Sequence, residues 1–442
     1  MHILFCCEFY APSKGGVQEV IKQVADRLVL FGHDVTVATR KLQSRNFDEL
    51  NGVKIVEFKI SGNLIYGLSG ELDAYRHFVV SHNFDIIVIK AAQQCTFDAL
   101  WPVLNNITVP KVFIPCGFSG LYDPAFTDYF HKLPDILRQF DHLIFYASDY
   151  RDINFTRENG INNFSIIPNG ASEVEFSVAP DPSFRKRYGI GEDDSLFLTV
   201  GSFTGRKGHF EVVSAFEKMK LKSSASLILN GNVPVFLSEA KVEGKPSPPI
   251  TMLKRLLRAI KKGPIVKMSL GNILQYLANS LKAIGVMKER TYTSIAEDIN
   301  KFHGNKKVLI TDLSRPELVQ AFMAADLFIF ASNIEYSPLV LYECAAAGTP
   351  FLSGPVGNSE EIAQWTGGGQ ICPANSDREG NIIVDPAVLA KHMSGLVNNK
   401  GLLLKMGADG KKNWSERFTW GNIATQYQNI FKSLLKERAA SI

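Results

Sequence analysis

Short apolar runs, each followed by a polar or glycine-bearing loop and then by helical periodicity, recur in two separate series along this 442-residue chain. Runs such as Ile86-Ile87-Val88-Ile89 and Leu327-Phe328-Ile329-Phe330 show no polar/apolar alternation, so both faces of each strand must be covered. Helices between the strands supply that cover, which predicts α/β architecture with parallel sheets and right-handed crossovers. The first series places strands at 2–7, 35–38, 53–56, 86–89, 112–114, 142–145 and 165–167. A polar, proline-containing linker at 172–195 separates it from a second series at 196–200, 226–229, 308–310, 327–330 and 351–352. The expected organisation is therefore a first domain over 1–175, a second over 176–412, and closing helices over 413–442. Two such sheets in succession imply lobes facing across a cleft.

Composition limits the class of protein. With 45% hydrophobic and 21% charged residues the chain reads as a soluble globular protein. It contains no run of about 18 uncharged apolar residues, so no transmembrane helix is expected. The start, Met1-His2-Ile3-Leu4-Phe5-Cys6-Cys7-Glu8, has neither a basic segment nor a long apolar core, and no secretory leader is expected. Six cysteines without CxxC pairs or Cys/His ligand spacing suggest reduced thiols in a cytoplasmic protein. The net charge of +4 is uneven, because eleven basic and two acidic residues fall between 241 and 290. Within that segment Leu253, Leu256, Leu257 and Ile260 share a helical face ringed by Lys254, Arg255, Arg258, Lys261 and Lys262. A basic helical insertion near 234–292 suits either an anionic membrane surface, reached through 250–290, or a hairpin packed on its own domain. No nucleic-acid motif accompanies the charge, and no nucleic-acid partner is expected.

Three loops carry the candidate chemistry. Gly15-Gly16 follows the first strand and precedes a helix whose apolar residues Val17, Val20, Ile21, Val24 and Leu28 recur at helical spacing. Lacking Cβ atoms, the two glycines let a ligand approach backbone N–H groups at the helix start, although such a turn serves equally as a tight connection. It is not the GxGxxG fingerprint, which weighs against a nicotinamide cofactor. Gly201-Ser202-Phe203-Thr204-Gly205-Arg206-Lys207-Gly208 sets two cations at a strand end, where Lys207 can meet a diphosphate as a point charge and Arg206 bidentately. A solvated basic turn is the alternative. The neighbouring strand ends at Asn230-Gly231-Asn232, and Asn230 joins the donor-binding candidates. After the strand at 327–330 come Glu335 and, eight residues later, Glu343, within a run ended by Gly348 and Pro350.

Taken in order, Gly15-Gly16, Pro168-Asn169-Gly170, Lys207-Gly208, the Glu335/Glu343 pair (E-x7-E), and Ala347-Gly348-Thr349-Pro350 followed by Gly357 and Glu360 or Glu361 resemble the retaining glycosyltransferases of the GT-B fold, family 4 in particular. The resemblance covers most of the chain outside 233–290. It implies two Rossmann-like domains, a nucleotide-sugar donor bound mainly by the second, a glycan or lipid-linked acceptor on the first, and a last helix after Trp420 crossing back. By position, Lys207 would stabilise the leaving diphosphate, Glu335 hold the donor sugar, Glu343 bind the ribose, and Gly16, Leu339 and Val340 offer backbone N–H groups. No metal and no separate catalytic base is implied, and the sequence contains no Asp-x-Asp. The chain departs from the family at Pro338, where glycine is common, at Ser202, where arginine is common, and at Cys116, where many relatives have a histidine near the sugar. Cys116 therefore stands as a candidate sugar contact, and His209, which begins a helix beside Lys207, stands as another. A hexosyltransferase of surface-polysaccharide assembly, peripheral at the inner membrane face, is the reading that follows. A catalytically silent sugar-binding or scaffold relative, an epimerase and a phosphorylase are its competitors.

Overall fold

The structure is a computed structural model and describes residues 1–221, 223–232, 290–377 and 380–441. The basic segment 241–290 and the proposed insertion near 234–292 thus lie almost wholly outside the described residues.

The first sheet has eight strands. From one edge the order is Phe164–Ile166, His142–Phe145, Lys111–Ile114, Ile86–Lys90, His2–Cys7, Asp34–Arg40, Val53–Phe58 and Glu49–Leu50. Every pairing is parallel except that of Glu49–Leu50 with Val53–Phe58. The period-2 pleat sends Leu4, Cys6, Ile87, Ile89 and Phe113 into one core and Ile3, Phe5, Cys7, Val88 and Val112 into the other. Helices Leu72–Ser81 and Thr127–Leu137 cover the former face. Helix Gly16–Leu30 covers the latter, together with Ile423, Tyr427 and Phe431 of the final helix, Trp420–Ser441. Adjacent Cys6 and Cys7 are accordingly both fully buried, on opposite faces.

The second sheet has six parallel strands in the order Lys306–Thr311, Ala225–Asn230, Ser195–Val200, Leu327–Phe330, Phe351–Ser353 and Gly369–Ile371. The strand order, not the strand direction, reverses at Ser195–Val200: the next two strands add on one side, and Leu327–Phe330 then pairs on the other. Loops leaving the carboxyl ends of those two neighbours diverge, and the crevice between them is where an open α/β sheet takes a ligand.

The last helix returns to the first domain. Ala171 N–H donates to the Phe418 carbonyl (3.0 Å), and the Trp414 ring N–H donates to the Ala171 carbonyl (3.2 Å). Glu173 accepts from Arg27 (3.1 Å) and from the Trp420 N–H (3.1 Å), tying the helix entry to helix Gly16–Leu30. Farther along, Gln428 Nε2 lies 2.7 Å from His33 Nε2, so the turn at His33 is a structural joint between the two helices.

Candidate functional site

The divergent loops of the second sheet bring Lys207 and Glu335 together. Strand Ser195–Val200 runs into the loop 201–208 and then helix His209–Lys218; strand Leu327–Phe330 runs into 331–338 and then helix Leu339–Ala347. Gly208 sits in the left-handed region (φ 70°), and a Cβ there would overlap the Ala331 carbonyl, so only glycine lets the two loops touch. Asn333 N–H donates to the Arg206 carbonyl (2.9 Å), locking the loops further. Across this seam Lys207 Nζ lies 2.5 Å from Glu335 Oε1, which also accepts from the Ser332 hydroxyl (3.0 Å). The side chains of Lys207 and Glu335 are 29% and 18% exposed, open to a cleft rather than sealed. Arg206 beside them is exposed.

Helix Leu339–Ala347 begins four residues after Glu335. Its N-cap, Pro338, supplies no capping side chain, so the N–H groups of Leu339 and Val340 start the helix without intrahelical acceptors. Across the cleft Gly16 comes within van der Waals reach of Leu339: a Cβ on it would lie 3.9 Å from Leu339 Cδ1. The first turns of helices from both domains therefore border the same space. Glu343, farther along this helix, receives Arg315 at 2.6 Å; Arg315 also binds both oxygens of Glu175 (2.9 and 2.7 Å).

The remaining candidates are placed differently. Asn230 is buried, and its oxygen accepts from the Leu313 N–H (2.8 Å) and the Thr311 hydroxyl (3.2 Å), so that oxygen braces the adjoining strand end. His209 is buried behind the Lys207 loop, its ring 4.7 Å from that of Phe203 and 5.8 Å from that of Tyr292. Burial lowers its pKa to about 4, with the Gly201 backbone pulling the other way and Lys207 adding to the fall. Cys116 is half-buried in the first-domain wall, against the same core that Tyr336 and Leu339 pack on. Burial raises its thiol above the ordinary range while Lys90 opposes, so it stays protonated near neutral pH.

That first-domain wall is strained. Ala91 (φ 67°), Gln93 (φ 63°), Cys116 (φ 62°) and Phe118 (φ 46°) are non-glycine residues in the left-handed region, just beyond strands Ile86–Lys90 and Lys111–Ile114. Each such conformation costs on the order of 1 kcal/mol or more and clusters where function demands it.

Of the residues that join the two walls, the sequence reading quoted Asn169 and Glu361 as motif members without this role and missed the rest. The Tyr336 ring sits between Tyr146 and Tyr150, at centroid distances of 5.5 and 4.7 Å, and its hydroxyl accepts from the Tyr146 N–H (3.1 Å). Tyr150 donates to the Glu335 carbonyl (2.7 Å), Asn169 to the Ser337 carbonyl (3.1 Å), and Asn358 to the Tyr146 carbonyl (3.0 Å). Glu361 accepts from the Ser148 N–H (2.9 Å) and also from its hydroxyl. Below them Lys90 is wholly buried and donates to the Tyr146 hydroxyl (2.5 Å). An aromatic residue between Glu335 and Ser337 was the one available signal.

Among the described residues there is no group of three or more His, Cys, Asp or Glu side chains able to hold a metal, and no helix long and apolar enough to cross a membrane. No family model matches the chain. It is 21% identical over 272 residues to an uncharacterized glycosyltransferase of Methanocaldococcus jannaschii, covering 60% of this chain and 53% of that protein. It is 24% identical over 254 residues to the N-acetyl-alpha-D-glucosaminyl L-malate synthase of Bacillus anthracis, covering 57% and 49%. The matched stretch thus spans about half the length of these curated relatives. Among solved structures, sucrose-phosphate synthase from Thermosynechococcus elongatus aligns with a TM-score of 0.66 at 16% identity, covering 98% of this chain and 99% of that one. Anabaena HepE, solved in complex with UDP, aligns with a TM-score of 0.64 at 13% identity, covering 98% and 100%. The fold is accordingly GT-B-like: two Rossmann-like parallel-sheet domains joined at a cleft.

Proposed function

We propose that the chain is a retaining glycosyltransferase that needs no metal and moves a sugar from a nucleotide-sugar donor to a glycan or lipid-linked acceptor. The observation that carries this reading is the Lys207–Glu335 pair at the sheet's reversal point, beside the start of helix Leu339–Ala347 and opposite Gly16. Lys207 would supply positive charge to the leaving diphosphate, and the Leu339 and Val340 N–H groups would add hydrogen bonds to it. Glu335 would accept from hydroxyls of the donor sugar. Glu343 would accept from the ribose hydroxyls while Arg315, on its Oε1, holds the carboxylate in place. UDP and UDP-glucose, bound by the HepE structures, are the donors to test first.

The energetics permit the exchange this requires. A partly exposed ion pair such as Lys207–Glu335 contributes about 0–1 kcal/mol, whereas a hydrogen bond to a charged group contributes about 1.5–3 kcal/mol. A diphosphate therefore displaces the internal partner at a net gain. In the transfer step the C1–O bond to the diphosphate breaks and a bond from the acceptor oxygen to C1 forms on the same face. The acceptor proton passes to the leaving phosphate oxygen, so no side chain has to act as base. Donor hydrolysis and transfer by wild type and Glu335→Ala test this: the account expects a loss of about 100-fold or more in kcat/KM. Retention is read from the anomeric configuration of the product by NMR.

A silent sugar-binding protein is the second reading, favoured by the fact that Lys207 and Glu343 already have internal partners. It predicts equal background hydrolysis for wild type and Glu335→Ala. Contact of the segment 241–290 with an anionic membrane surface rests on its sequence pattern, basic residues around an apolar helical face. Liposome flotation of the chain without that segment tests it, and undiminished lipid binding would rule it out.

A further inference from the structure

We propose that Tyr336 and Tyr150 are positioning residues for Glu335: through them the first domain sets the carboxylate assigned to the donor sugar, while the diphosphate site at Lys207 is set without them. The proposal rests on the glycosyltransferase reading above.

Glu335 is held by both domains. Its side chain belongs to the second, where Lys207 Nζ lies 2.5 Å away and the Ser332 hydroxyl donates at 3.0 Å. Its carbonyl is taken by the first, since the Tyr150 hydroxyl donates to it at 2.7 Å. The next residue, Tyr336, places its whole ring in the first-domain wall, 4.7 Å from the Tyr150 centroid and 5.5 Å from that of Tyr146. Gly117, at φ 89°, lies under both rings. A Cβ there would come within 3.1 Å of Tyr336 Cγ and of Tyr150 Cε1, so the socket needs bare backbone at that point.

The far end of the Tyr336 ring is equally specified. Its hydroxyl accepts from the Tyr146 N–H (3.1 Å), which leaves its one proton for the Asp152 carboxylate that it faces. Asp152 is buried and fixed in turn, accepting from the Gly117 N–H (2.7 Å) and the Ile153 N–H (2.9 Å). From the second domain the Asn358 N–H donates to the Tyr336 carbonyl (2.9 Å). The backbone of Glu335 and Tyr336 is therefore pinned from both walls, and a rotation there would carry the Glu335 side chain with it. Lys207 stands apart from this socket. Its loop is fixed within the second domain, by Gly208 against the Ala331 carbonyl and by the Asn333 N–H on the Arg206 carbonyl. Since a misplacement of about 1 Å can cost on the order of 100-fold in rate, the socket bears on the sugar and not on the diphosphate.

Calorimetric titration of the full chain with UDP, GDP and ADP, each beside its glucose conjugate, reads diphosphate and sugar separately. Tyr336→Phe keeps the ring and removes the hydroxyl; Tyr150→Phe removes the bond to the Glu335 carbonyl. Each should weaken the conjugate about fivefold or more while leaving the parent diphosphate within about twofold of wild type. Added to Glu335→Ala, neither should weaken the conjugate beyond the loss that Glu335→Ala causes alone, because both act through that carboxylate. Additive losses, equal losses for diphosphate and conjugate, or no loss in either variant overturn the positioning role. Should Tyr336→Phe fail to fold, Tyr150→Phe decides by the same criteria. If Glu335→Ala leaves the conjugate unaffected, the sugar assignment of Glu335 falls and the positioning role with it. If none of the nucleotides binds wild type, it is the donor reading that fails, and this proposal falls as its consequence.

Discussion

Arg315 is the side chain through which the linker between the domains reaches Glu343, since one guanidinium serves both Glu175 and Glu343. Arg315→Gln should leave Glu343 without that brace and raise donor KM several-fold with kcat little changed; steady-state kinetics separates this from a loss of chemistry. His209 supplies a pH test. Its folded-state pKa of about 4 lies below the unfolded value near 6.5, so its contribution is fully present above pH 6.5 and is lost as pH falls toward 4. The swing is about 3 kcal/mol. Burial pushes Asp98 and Asp152 up to about 6, so they act in the opposite direction over an overlapping window. The informative quantity is therefore the stability difference between wild type and His209→Gln, from denaturant melts at pH 7 and pH 5. At pH 7 the variant should be the less stable, with the gap narrowing at pH 5. At this scale the charged candidates were legible as residues, because Lys207 and Glu335 lie on loops that follow apolar strand runs and Glu343 follows in the next helical run; their roles came from the resemblance and not from spacing. Arg315 was not, because what sets it apart is which acids reach it in three dimensions. Asn230 shows the same limit: its oxygen is taken by a loop more than eighty residues later.

The element that most constrains the site is the turn from strand Ser195–Val200 into helix His209–Lys218. Gly208→Ala would force a Cβ against the Ala331 carbonyl at a positive φ and should cost about 2–4 kcal/mol. The expected readout is a Tm lowered by several degrees together with weakened nucleotide binding. Gly205, also at positive φ but with nothing near its Cβ position, should show the smaller effect of backbone strain alone. Most parallel strands were legible because they are largely apolar runs; Gly369–Ile371, three residues long and half-buried, was not. The hairpin Ile60–Asn63 with Gly67–Gly70 was not: it is short, glycine-rich and largely solvent-exposed, and it lacks the alternation that marks a half-buried strand. Helix Leu339–Ala347 was found from its Gly348 stop, which does occupy the left-handed C-cap.

Across the whole molecule, the two domains meet through Tyr336, held between Tyr146 and Tyr150, and through the returning helix Trp420–Ser441. Two sheets and their order along the chain could be read from hydrophobic runs, but not the aromatic latch, since nothing in a single sequence pairs residue 146 with residue 336. Tyr336→Ala should loosen the latch and increase the radius of gyration of the unliganded protein in small-angle scattering, without unfolding either sheet. The central claim is that the cleft grips the diphosphate of an activated sugar through Lys207. Calorimetric titration of UDP, GDP and ADP against their nucleosides, in wild type and Lys207→Ala, measures this most directly. The account predicts that one diphosphate binds wild type about tenfold or more tighter than its nucleoside, and that Lys207→Ala removes most of that difference. A diphosphate preference of equal size in both proteins, or none in wild type, would contradict it.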